Sequence, residues 1–120
     1  MTDKELLERA AMAAGLLVQR DRLFVDAEGN FVAIGVRAKW NDRYHRWNAL
    51  TDSGQALDLA VRIGAGPAGC FQLVVDSAVS KTGVRHTERG GKYDALEDWG
   101  LDPLAATRRA IVVAAAGLLR

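Results

Sequence analysis

The sequence predicts an α+β fold in which three helices pack on an antiparallel β-sheet, an α/β/α-like sandwich. Three observations point there. Two similar helix openings stand at Trp47-Asn48-Ala49-Leu50-Thr51-Asp52-Ser53 and Asp102-Pro103-Leu104-Ala105-Ala106. Short β-prone runs with turn residues between them fill residues 16–37 and 70–88. The order of elements is helix, strands, helix, hairpin, helix, which lacks the regular strand–helix alternation of a parallel doubly wound sheet. A chain of 120 residues fits one domain, 1–120, with a single core. Hydrophobic residues at 49% and charged residues at 26% place it among globular chains rather than disordered ones.

The elements follow in order. Thr2-Asp3-Lys4-Glu5 is a capping box, in which the Thr2 hydroxyl accepts from the Glu5 amide. Leu6, Leu7, Ala10, Ala11 and Ala14 recur at helical spacing, so a helix is expected near 3–14, and Gly15 supplies a left-handed exit. Residues 16–18 and 23–25 are short β-prone runs. Residues 27–30 form a turn at Gly29 and Asn30, and 31–36 read as the returning strand. That strand is almost continuously apolar, as a central strand covered on both faces would be. A strand with one exposed face is the alternative, with Val32, Ile34 and Val36 on its aliphatic side.

Residues 38–50 show no clean period. A second helix, expected near 52–63, takes its N-cap from the 51–53 region. Its apolar stripe is Ala56, Leu57, Ala60 and Val61, and Gly64 ends it. The turn Gly64-Ala65-Gly66-Pro67 follows a helix and lacks the Gly-Lys-Ser/Thr element, so it is no phosphate loop. Residues 71–75 and 82–88 read as a hairpin, and 89–99 as a loop with a short turn near 95–98. Asp102 caps a third helix near 103–118, and Pro103 occupies its first position. Leu104, Ile111, Val112, Ala115, Leu118 and Leu119 fall on one face of it, and the alanines at 114–116 keep it slim for close packing.

Other features bound the function. Sixteen Lys and Arg against fifteen Asp and Glu leave a net charge of +1, so global charge selects no partner. Cys70 is alone, which excludes an intrachain disulfide or a cysteine zinc site, and its apolar run reads as a buried structural thiol. There is no secretory h-region near Met1 and no stretch of about 18 apolar residues, so a cytoplasmic protein without a membrane partner is expected.

Residues 47–120 resemble a group of small tailed-phage and prophage proteins, the phage ABA sandwich domain and NinX-like proteins. The matching residues are Trp47, Asn48, Thr51, Asp52, Ala56 and Leu57, then Pro103, Ala106, Arg109, Ala110 and Ile111. The pattern is an aromatic-Asn/Ser-x-x-Thr/Asp opening, an Ala-rich helix, a hairpin, and a closing x-P-x-A-x-x-R-A helix. Ala49 departs from it, since a proline is common there, and the loop before Asp102 is glycine-rich and glutamate-poor. The resemblance implies a helix–sheet–helix sandwich and a bacteriophage accessory protein of unknown function in the bacterial cytoplasm. A host factor or host-defence component is a natural target for such a protein.

No catalytic constellation is visible, so a non-enzymatic role without cofactor or metal is expected. His45 and His86 stand in no metal-ligand spacing. Asp94, Glu97, Asp98 and Asp102 form an acidic run that reads as a solvated loop plus an N-cap, against acid–base work or cation binding. Ser53-Gly54 and Ser80-Lys81 lack a nucleophile-elbow or S-x-x-K context.

The basic–aromatic segments are the candidates. Between 37 and 48, four cations against Asp42 give +3, interleaved with aromatic rings. The residues chosen for binding protein or nucleotide are Lys39, Trp40, Arg43, Tyr44, His45 and Arg46. Between 81 and 92, four cations against Glu88 again give +3, and Arg85, His86, Arg89 and Lys92 are the secondary candidates. Three readings stand. Trp40 and Trp47 cover the core while the arginines solvate the loop. Alternatively the segment is a protein interface, where Trp, Tyr and Arg concentrate binding energy. Or it stacks on bases and neutralises phosphates. The separate acidic and basic segments also suit self-association into a homo-oligomer.

Overall fold

The computed structural model describes residues 2–65, 71–86, 93–100 and 102–118. Their order is α1 (Asp3–Ala13), β1 (Leu17–Val25), β2 (Phe31–Arg37), β3 (His45–Trp47), α2 (Ser53–Ala65), β4 (Phe71–Asp76), β5 (Lys81–His86), β6 (Tyr93–Asp98) and α3 (Pro103–Ala116). The α+β class, with three helices on antiparallel strands, is as expected. The strands form two sheets rather than one: sheet A has the order β1-β2-β3 and sheet B the order β4-β5-β6. Residues 93–98, expected in a loop, form a third strand beside β5, so the hairpin belongs to a separate sheet and does not add to β2.

α1 packs on β1 and β2, α3 packs on β5 and β6, and α1 and α3 pack on each other. The helices are thus the contact layer between the sheets. The core cluster draws on all three helices and on both sheets, including Leu7, Ile34, Trp47, Leu59, Val84 and Val112.

Local chemistry explains the helix ends. The Thr2 hydroxyl accepts from the Glu5 amide at 3.2 Å, and Gly15 exits α1 at φ +81°. Asp52 caps α2 by accepting from the Gln55 amide at 2.9 Å, and Asp102 caps α3 by accepting from Ala105 at 3.0 Å. α2 continues through Gly64 to Ala65, so Gly64 does not end it. The turn at residues 66 and 67, Cys70 and Leu119 lie outside the described residues.

Two helix faces differ from expectation. α2 buries Ala56, Leu59 and Ile63, while Leu57 and Val61 are exposed. In α3, Ile111, Val112 and the alanines at 110 and 114–116 are buried, but Leu104 is exposed. Here α3 contacts α1, α2, β5 and β6, and small side chains allow those approaches.

β2 is the central strand of sheet A, and residues 33–36 are buried without interruption. On its outward side, a Cβ added at Gly35 would lie 2.9 Å from Gln19 Oε1 and 3.3 Å from Gln19 Cβ. Gly35 therefore lets the β1 side chains cover this strand. In sheet B the one buried polar core side chain among the described residues is Thr82. Its hydroxyl accepts from Trp99 Nε1 at 2.9 Å and lies 3.0 Å from Thr107 Oγ1, which donates to the Pro103 carbonyl at 2.8 Å. Because the Thr107 proton is committed to Pro103, Thr82 must donate to Thr107. The relay ties the strand, the 99–102 connection and α3 together.

Candidate interaction surface

The 37–48 segment is built on sheet A. β2 delivers Arg37, and β3 returns antiparallel with Val36 opposite His45, Gly35 opposite Arg46 and Ile34 opposite Trp47. Side chains alternate along a strand, so Trp47 and Arg46 take opposite faces. Trp47 enters the core at 2% exposure, while Arg46 lies outside.

Between the strands, the Asp42 amide donates to the Lys39 carbonyl at 3.1 Å and closes a turn with Trp40 and Asn41 at its tip. Arg37 holds this turn from beneath. Its Nη1 donates to the Asp42 carbonyl at 3.3 Å. Its guanidinium carbon lies 4.4 Å from the Tyr44 ring centroid and 5.4 Å from that of Trp40. Such cation–π contacts orient rings at modest energy, about 0.5–1 kcal/mol each when exposed. Trp40 nevertheless remains 81% exposed. Lys39, Arg43 and His45 are also exposed.

Arg46 stacks over Phe24, 5.2 Å from its centroid. Beside it lies a cleft of about 160 Å³ lined by Arg46, Asn48, Thr51, Asp52 and Gln55 together with the Val32–Ala33 backbone region. The polar residues here brace the turn onto α2. Asn48 Nδ2 donates to the Val32 carbonyl at 2.7 Å, and its Oδ1 accepts from the Leu50 amide at 3.0 Å. Gln55 Oε1 accepts from the Asn48 amide at 2.7 Å, and Gln55 Nε2 donates to the Arg46 carbonyl at 3.0 Å. From α3, Arg108 donates to the Leu50 carbonyl at 2.8 Å and to the Ser53 hydroxyl at 3.0 Å.

The six primary candidates thus occupy one stretch, but in different settings. Lys39, Trp40, Arg43 and His45 are presented to solvent. Tyr44 is half-buried against Arg37, and Arg46 is stacked on Phe24. The reading in which both tryptophans cover the core holds for Trp47 and fails for Trp40. The secondary candidates do not join this surface within the described residues. Arg85 stands in sheet B, where its Nε donates to Gln72 Oε1 at 2.8 Å. Arg89, Lys92 and the His86 side chain lie outside the described residues. Sequence reasoning missed Arg37 as the support of the turn, Phe24 as the Arg46 platform, and the Asn48–Gln55 brace. The first two depend on cross-strand neighbours, and only Asn48 carried a signal, in the helix opening.

The acidic run is engaged internally where it is described. Glu97 lies 3.6 Å from Arg109, Asp98 lies 3.5 Å from Lys81, and Asp102 is an N-cap. Among the described residues, no three His, Cys, Asp or Glu side chains converge as metal ligands. No helix of the described residues is long and apolar enough to cross a membrane. Compared with protein-family models, curated proteins and solved structures, the chain shows no significant match.

Proposed function

We propose that this protein acts without catalysis, by binding another protein through the 38–46 turn, and that the partner offers an acidic surface. The carrying observation is Trp40, a large aromatic side chain left 81% exposed at the tip of a turn that Arg37 holds in place. Exposed aromatic anchors set among arginines are the side chains that dominate interface energetics, and a pre-organised turn loses little freedom on docking. Lys39, Arg43, His45 and Arg46 are exposed in the same segment, and their charge favours acidic counterparts. The resemblance of residues 47–120 to small phage proteins supports an accessory role, with a host factor or host-defence component as the target.

One observation favours a second reading, nucleotide or nucleic-acid binding. Arg37 stacks on Tyr44 and Trp40, and Arg46 stacks on Phe24, so the segment carries two guanidinium–ring pairs. Aromatic rings and arginines together are what stack on bases and neutralise phosphates.

The test is affinity capture with the wild-type chain and with the Trp40→Ala/Arg43→Ala double variant, paired with oligonucleotide titrations at two salt concentrations. The protein reading expects a partner retained by the wild type and lost by the variant. Oligonucleotide binding that falls steeply with salt, with no protein captured, would replace it with the second reading.

A further inference from the structure

We propose that the chain forms a two-fold dimer through β4, joining two B sheets into one six-stranded antiparallel sheet. The inner face of sheet B is unfinished. Leu73 pairs with Val84 and Val75 with Thr82, so these four share a face. Val84 and Thr82 are buried beneath α3, yet Leu73 and Val75 are not. Ala60 and Ile63 of α2 reach Leu73, Val84 and Ile111 around a gap of about 70 Å³, but α2 turns Leu57 and Val61 outward. Leu57, Leu73, Leu104 and Ile111 line an adjoining apolar cleft of about 170 Å³. Five large aliphatic side chains, Leu57, Val61, Leu73, Val75 and Leu104, are thereby left 43–65% exposed along one edge.

Among the described residues, that edge is also the least guarded one. Native sheets blunt their edges with bulges, charges, prolines or short strands. β1 carries two breaks in register, β3 has three residues, and β6 has a break opposite β5 and bears Glu97 and Asp98. β4 runs six residues in unbroken register with β5, contains no lysine or proline, and has its one charge, Asp76, at the very end of the strand.

A second copy fits this edge because the strand is self-complementary. With Val74 opposite its own symmetry mate, Leu73 falls opposite Val75 of the second copy, and Gln72 opposite its Asp76. No like charges are placed opposite one another. The two-fold then lays each Leu57–Val61 face over the other copy's exposed Leu73 and Val75, which completes the core on the inner side. A fully buried Leu or Val removes about 60–120 Å² of apolar surface, so five side chains at this exposure offer on the order of 300 Å² per copy. Strand pairing adds the backbone edge. The total falls short of the about 800 Å² per partner of a standard interface, so the dimer is weak and depends on protein concentration.

The experiment is sedimentation velocity of the full chain over a concentration series, with hydrogen exchange of the 71–76 amides at both ends of it. The expected result is a monomer–dimer equilibrium, slower exchange of those amides at high concentration, and at least a roughly tenfold weakening in Val75→Lys at an unchanged thermal midpoint. Leu57→Lys, on the helix rather than the strand, should weaken the dimer independently and decides the matter if Val75→Lys does not fold. A monomer at every concentration up to about 500 µM overturns the proposal. So does a dimer indifferent to the lysine substitutions, or one in which the 71–76 amides gain no protection.

Discussion

Replacing Asn48 by alanine tests the brace that joins the candidate surface to the core. The side chain makes two part-buried hydrogen bonds, Nδ2 to the Val32 carbonyl at 2.7 Å and Oδ1 from the Leu50 amide at 3.0 Å. The bonds of its own backbone survive the change: its amide still meets Gln55, and its carbonyl still accepts from Thr51 and Asp52. Two lost bonds at about 0.5–1.5 kcal/mol each predict a destabilisation of about 1–3 kcal/mol. Denaturant titration should show this as a lower midpoint at an unchanged slope, because the brace does not alter the surface exposed on unfolding. Asn48→Asp is the sharper variant. It keeps the Leu50 bond but turns a carboxylate oxygen toward the Val32 carbonyl, so it should cost at least as much. Thr51→Ala is the control, since its exposed hydroxyl makes only a 3.4 Å contact, and it should cost below about 0.5 kcal/mol. An Asn48→Ala loss below about 0.5 kcal/mol, or an Asn48→Asp protein as stable as the wild type, refutes the reasoning.

Two further predictions concern single groups. Thr82→Val keeps the shape of a fully buried residue but takes the acceptor from Trp99 Nε1 and the donor from Thr107, so it should cost about 1–3 kcal/mol in thermal or chemical unfolding; a neutral result would show that the relay contributes no net stability. Asp26 should titrate below its ordinary value of 3.8, because the Asn30 amide, and after it Glu28, donates to its carboxylate. A depressed carboxylate pKa adds stability that is present above the unfolded value and is lost as pH falls through the folded one. Carbon-detected NMR of the Asp26 carboxyl reads this directly, and a value at or above 3.8 contradicts it.

Much of the fold was legible where local chemistry and burial agree. The capping box at Thr2, the glycine exit at Gly15 and the Asp102-Pro103 opening fix helix ends through bonds within one turn. The near-continuous apolar run of β2 marked a central strand. The face of α2 was not legible, because apolar residues fill 56, 57, 59, 60, 61 and 63. Two overlapping stripes satisfy helical spacing there, and packing against sheet B and α3 selects Ala56, Leu59 and Ile63. β6 was hidden by its acids, since Asp94, Glu97 and Asp98 obscure the alternation of an edge strand. At the candidate surface, composition singled out the 37–48 segment, and the helix opening that follows Trp47 already set that ring apart from Trp40. The pairing of β3 with β2 places Trp47 opposite Ile34 in the core, while Trp40 stays exposed on the connecting turn.

The central claim is that the 38–46 turn binds and does not merely cover the core. Its most direct measurement is calorimetric titration of the captured partner into the wild type and the Trp40→Ala/Arg43→Ala variant, with the thermal midpoint of each recorded. The double variant should lose at least roughly tenfold in affinity with a stability change below about 0.5 kcal/mol, whereas Trp47→Ala should cost about 3–5 kcal/mol of stability. Unchanged affinity in the double variant, or a loss of stability approaching that of Trp47→Ala, would contradict it.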